Sequence, residues 1–177
     1  MVTRICIDAG HGGIELGAVY GGYMEKHLNF SISNLLEEEL QKKGFLTRMT
    51  RNNDTFVALS QRAHISNEFK ANYFISVHCN AFGNHIPKGF EVYYYKSGQA
   101  LANAVAQGIA KDSVTTVRYA KQANFSVLLL TQCPAILIEN GYMSNPKDLA
   151  ELTNLNHRKL LAKSIANSVF NYVAKSS

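Results

Sequence analysis

Three short apolar runs in this chain each lead onto a residue that can bind a metal or carry a proton. Ile5-Cys6-Ile7 runs through Asp8-Ala9-Gly10 to His11, Tyr73-Phe74-Ile75-Ser76-Val77 runs to His78, and Ala135-Ile136-Leu137-Ile138 runs to Glu139. Runs this short and this rich in Ile, Val and Phe, separated by helical patterns, fit buried strands of a mostly parallel sheet. In such sheets ligands bind beyond the carboxyl ends of the strands. Strands that alternate with helices predict an α/β domain of three layers, with a twisted, mainly parallel, mixed sheet flanked by helices on both faces.

The remaining periodicity fills in the elements. A strand over 4–8 is followed by a glycine-rich loop from Gly10 to Gly22. A helix over 25–43 follows, with Leu28, Ile32, Leu35, Leu36 and Leu40 on one stripe and Gly44 as its left-handed stop. Residues 45–50 form a second strand and 60–70 a second helix. After the His78 strand comes a polar loop through Pro87-Lys88-Gly89. Phe90 to Tyr95 follows a loop and not a helix, which predicts an antiparallel or edge strand. Tyr93, Tyr94 and Tyr95 fit sheet packing better than a sugar platform. Residues 97–111 are helical, 113–132 give no clear pattern, 141–146 form a turn, and 157–174 form a last helix.

The 177 residues, 46% of them hydrophobic, suit a single domain over 1–177. A net charge of +5 and a pI near 9.1 fit nucleic acid, anionic lipid or an anionic cell wall, or equally a modest lysine excess. No apolar run approaches the roughly 18 residues that span a membrane. Asp8 and His11 break the apolar stretch after Arg4, so the start does not read as a signal peptide. Three cysteines without a CxxC pair exclude a disulfide framework and a thiolate zinc site. Cys6 and Cys133 read as small buried hydrophobes.

Two histidines at two strand ends point to a shared metal ion. A catalytic zinc takes three protein ligands and leaves one position open, so a third donor is needed. Glu25, at the start of the long helix, and Glu15, four residues after His11, both qualify, and spacing alone does not separate them. Glu139 closes a strand too apolar to bury a free carboxylate cheaply. Desolvation there raises its pKa toward the range of a general acid/base. A competing reading has the Asn140-Gly141 backbone cap it. Asn80 either binds substrate or shapes its loop, and Arg51, Asp54 and Arg62 read as a structural ion-pair network.

His11-Gly12-Gly13, Gly17-Ala18, Glu25-Lys26, Thr50 to Asp54, Leu59 with Arg62, Phe74 to Ala81 and Pro134 to Asn145 occur in order over nearly the whole chain. This string resembles the zinc-dependent N-acetylmuramoyl-L-alanine amidases of the Amidase_3 type. The resemblance implies one zinc held by His11, Glu25 and His78, with Glu139 as the catalytic glutamate. It implies peptidoglycan as the substrate, cut between the muramic-acid lactyl group and the first L-alanine. The partner it implies is thus the wall and not nucleic acid, with a monomer acting outside the membrane without inserting into it. Ile14-Glu15-Leu16 departs from the aspartate and proline common in the family, a change of loop shape that touches no implied ligand. No extended insertion that would cover the groove is evident. Whether the owner is a bacterium or a phage is open, and a lytic enzyme released through a membrane lesion fits a chain that shows no export signal.

Two rivals belong to other classes: a Cys79-dependent amidohydrolase, and a non-catalytic wall-binding module with a structural metal. In a strand Cys79 points away from the face of His78, and neighbours in sequence rarely pair catalytically. EDTA should abolish a metal-dependent activity and leave thiol chemistry intact, whereas iodoacetamide should do the reverse.

Overall fold

The computed structural model describes residues 2–176. Six strands form one mixed sheet: β1 (Arg4–Ala9), β4 (Leu46–Met49), β5 (Tyr73–Asn80), β6 (Phe90–Tyr95), β7 (Val117–Gln122) and β8 (Ala135–Tyr142). Their order is β4-β1-β5-β8-β6-β7, and only the β6–β8 pair is antiparallel. The glycine-rich loop contains a small hairpin of its own, β2 (Val19–Tyr20) with β3 (Tyr23–Met24). The helices are α1 (Glu25–Lys42), α2 (Leu59–Glu68), α3 (Gln99–Lys111), α4 (Ser126–Leu130), α5 (Pro146–Thr153) and α6 (Leu155–Ser176).

The three-layer reading holds, because the period of two along each strand sorts side chains onto two unlike faces. Ile5, Ile7, Ile75, Val77, Val92, Ile136 and Ile138 point into the larger core, beneath α1, α3 and α6. The stripe Leu28, Ile32, Leu36 and Leu40 closes that core from α1. Cys6, Phe74, Ala135 and Leu137 point the other way, under the shorter α2 and α4. By the same alternation Asp8, Ser76, His78 and Glu139 share this second face. The thin side of the molecule therefore carries the polar residues at the strand ends.

Some elements differ from their expectation. β6 is antiparallel to β8 as foreseen, but it lies inside the sheet because β7 pairs along its far side. The unpatterned stretch 113–132 supplies that edge strand and the single turn of α4. Beyond the expected 141–146 turn stands α5, whose start was written in the sequence: Asn145 accepts hydrogen bonds from the N–H groups of Lys147 and Asp148, and Pro146 occupies the first turn.

The supposed network of Arg51, Asp54 and Arg62 is wired differently. Asp8 is fully buried and accepts from Arg62 Nη1 at 2.8 Å, Thr50 Oγ1 at 2.7 Å and Ser76 Oγ at 2.7 Å. Arg62 also donates to the carbonyls of Val57, Ala9 and His11. Arg51 holds the carbonyls of Ala9, Gly10, Lys26 and Asn53, and Asp54 pairs with Lys26 at 2.7 Å. The reason is geometric: α2 lies over the end of β1, so its arginine meets the nearest buried carboxylate. Burial by itself would raise the Asp8 carboxyl, but Arg62 and the two hydroxyls outweigh it and hold it below the usual carboxylate range. Asp8→Ala would leave Arg62 buried without its counter-charge, and should lower unfolding stability by about 3–5 kcal/mol in urea titrations. Because the folded pKa is depressed, the Asp8 contribution is complete above about pH 4 and fades as pH falls through the lowered value.

Candidate metal centre

His11, Glu25 and His78 meet above the carboxyl ends of β1 and β5. Each offers one ligand atom, and the three atoms lie within 4.8 Å of one another. His11 leaves β1 with φ of 60°, in the left-handed region that side chains adopt rarely. Its carbonyl is fastened by Arg62, so the strained turn is held from behind. Gly10 has to be glycine because a Cβ there would collide with the His78 ring. The two imidazoles stand edge to face with centroids 5.0 Å apart.

Glu25 is the first residue of α1, brought to the strand ends by the β2–β3 hairpin. His11 Nε2 lies 3.2 Å from its Oε2 and His78 Nδ1 lies 3.0 Å from its Oε1. The Ala18 N–H donates to Oε2 at 3.0 Å, while Asn29 Nδ2 and the Cys79 N–H donate to Oε1 at 3.0 and 3.2 Å. Burial would raise this carboxyl, yet its hydrogen bonds to both histidines hold it well below the ordinary range. The hydrogen bond to Glu25 in turn raises His11 above the usual imidazole value. A permanently ionised carboxylate between two imidazoles is a fitting donor set for a divalent ion. Glu15, the other carboxylate considered, lies 4.0 Å from the opposite ring nitrogen, His11 Nδ1, and stands outside this group.

The cluster opens onto a cleft of about 570 Å³, whose walls include His11, Glu15, Leu59, Asn124, Phe125 and Glu139. Glu139 is half-buried, and its Oε2 is sealed from solvent with no hydrogen-bond partner. Burial first, and then the charges of Glu25 and Glu91, push its pKa well above the carboxylate value. The Asn140 cap does not form, because the Asn140 amide donates to the His78 carbonyl.

Asn80 takes the second of its two readings. Its amide nitrogen donates to Glu91 Oε2 at 3.1 Å and its oxygen accepts from the Ala81 N–H at 2.8 Å, so it shapes the loop and does not line the cleft. Cys79 lies on the opposite face in the larger core, where burial lifts its thiol well above the usual range. That removes the thiolate a cysteine mechanism needs. Sequence reasoning missed Glu91, which is fully buried under Tyr93, Tyr142, Asn80 and Arg118 and sits directly across from Glu139 in the β6–β8 ladder. The signal was present: Glu91 interrupts Phe90 and Val92 in an apolar strand, the same anomaly that singled out Glu139.

An α/β sheet that carries two histidines, a carboxylate donor and a spare buried glutamate at its strand ends belongs to the metal-dependent hydrolase class. The comparisons narrow it. Residues 5–171 match the Amidase_3 model, N-acetylmuramoyl-L-alanine amidase, and the chain belongs to that family. It is 34% identical over 172 residues to the probable cell wall amidase LytH of Staphylococcus epidermidis, covering 95% of this chain and 57% of that protein. The chain thus spans a little over half the length of that relative. Among solved structures it is similar to the amidase AmiC2 of Nostoc punctiforme (34% identity, TM-score 0.94, 97% of both chains covered). It is also similar to an N-acetylmuramoyl-L-alanine amidase of Clostridium difficile 630 (30% identity, TM-score 0.96, 99% of both chains covered).

His11→Ala and His78→Ala should each reduce bound divalent metal to a small fraction of the parent's content, read by elemental analysis after gel filtration. Full occupancy in both variants would exclude them as ligands.

Proposed function

We propose that residues 1–177 form a single catalytic domain that hydrolyses peptidoglycan at the amide between the muramic-acid lactyl group and L-alanine, using one zinc ion per chain. The observation that carries this reading is Glu139: a half-buried carboxylate with one unpartnered oxygen, in the same cleft as three convergent metal donors. A structural metal site has no use for such a group. His11, Glu25 and His78 would hold the ion. When bound, zinc supplies a Lewis acid for the amide carbonyl and lowers the pKa of water toward about 7.

The chain's own residues do the rest. Glu139 takes a proton from the attacking water as the carbon–oxygen bond forms, then delivers it to the alanine nitrogen as the carbon–nitrogen bond breaks. The products are a lactyl carboxylate and a free amine. The raised pKa of Glu139 suits both halves of that task. Glu25 and Asn29 fix the donor geometry, and the Arg62 and Arg51 clamps hold the backbone that presents His11.

Access to the bacterial wall is part of the proposal, with release through a membrane lesion as the route and a monomer as the working form. No helix among the described residues is long and apolar enough to cross a membrane. Glu139→Ala should keep its zinc and lose roughly 10²–10⁴-fold in rate, measured as new α-amino groups released from purified walls. A variant that cuts walls at near the parent rate would remove Glu139 from this role.

A further inference from the structure

The charge inventory of the cleft deepens that reading and rests on it. Among the residues lining it, Arg62 is the only arginine or lysine. Arg62 is buried and already committed, to Asp8 and to the carbonyls of Val57, Ala9 and His11. Asp8 and Arg62 therefore cancel. A divalent ion would bring two positive charges, and ionised Glu25 and Glu139 would bring two negative ones. One charge is left over, on Glu15.

Glu15 is held in place. Its N–H donates to the Gly12 carbonyl at 3.1 Å and its carbonyl accepts from the Gly12 N–H at 2.9 Å, so the turn cannot swing it away without breaking both bonds. Its side chain is half exposed at the rim, and its one charge contact, His11 Nδ1 at 4.0 Å, is too distant for a hydrogen bond. The opposite wall, with Asn124 and Phe125, has no cation to offer a carboxylate either.

In the stem peptide the residue after L-alanine is a γ-linked D-glutamate, whose α-carboxyl is either free or amidated. Two residues of extended chain span at most about 7 Å, so that group comes close to the scissile amide. We propose that Glu15 is a specificity-determining residue that selects amidated stem peptides, by repelling an ionised α-carboxylate in a cleft without a free cation. A carboxamide carries no charge, and it can donate a hydrogen bond to Glu15.

The test uses two soluble substrates, N-acetylmuramoyl-L-Ala-γ-D-Glu-L-Lys and the same compound with its α-carboxyl amidated. The zinc-loaded protein should show kcat/KM roughly fivefold higher on the amidated compound, the size expected for one partly screened charge pair. Glu15→Gln should bring the ratio close to one, chiefly through KM, and added salt should shrink the parent's preference as screening predicts. Calorimetric binding of both compounds to the Glu139→Ala protein reads the same ratio without turnover. Equal kcat/KM and equal binding in the parent, or a preference unmoved by both Glu15→Gln and salt, would overturn the role of Glu15. Release of no free alanine amine from either compound would instead count against the amidase reading, with the binding ratio still deciding on Glu15.

Discussion

The buried pair of Asp8 and Arg62 is the interaction on which the rest of the site depends. It joins the end of β1 to α2 across the thin face, and the same guanidinium grips the carbonyl of His11. A lone charge in that position would be costly, but here every acceptor around the guanidinium is close and the carboxylate is met by two hydroxyls as well. The pair therefore fixes direction: it sets where the chain leaves the sheet, and so where the first metal donor stands. Arg51 repeats the device one layer away by tying Ala9 and Gly10 to the start of α1, which brings Glu25 into register.

The two faces of the sheet divide the work between stability and chemistry. The larger core is continuous and apolar, closed by three long helices. The thinner face buries fewer hydrophobic residues and carries Asp8, His78, Glu91 and Glu139 among them. Polar groups at strand ends are tolerable there because α2 and α4 are short and leave the cleft open. A carboxylate that kept a solvated environment could not have its proton affinity raised as Glu139 has.

Much of this was legible in the sequence, and the reasons are local. β1, β5 and β8 announce themselves because an apolar run too short for a buried helix, ending on His or Glu, fits a strand that hands its last residue to the sheet edge. The α1 stripe follows from its spacing. The choice of Glu25 over Glu15 was not readable from spacing, since both lie near His11 along the chain. It depends on the small β2–β3 hairpin, whose two-residue strands leave no periodicity to detect. The partners of Arg51, Asp54 and Arg62 were equally hidden, because charge pairing depends on which helix crosses which strand end. β7 escaped for a different reason. Val117–Gln122 alternates weakly and includes Arg118 and Lys121, as an edge strand that must resist pairing with other chains tends to do.

The backbone at His11 carries one more consequence. With φ at 60°, that position favours glycine, and an imidazole sits there only because neighbouring contacts hold the turn shut. A descendant that drifted to glycine at residue 11 would relax the turn and gain in folding what it lost in chemistry. Thermal robustness and a working centre are thus set against each other at a single position, and only selection for turnover keeps the ring in place.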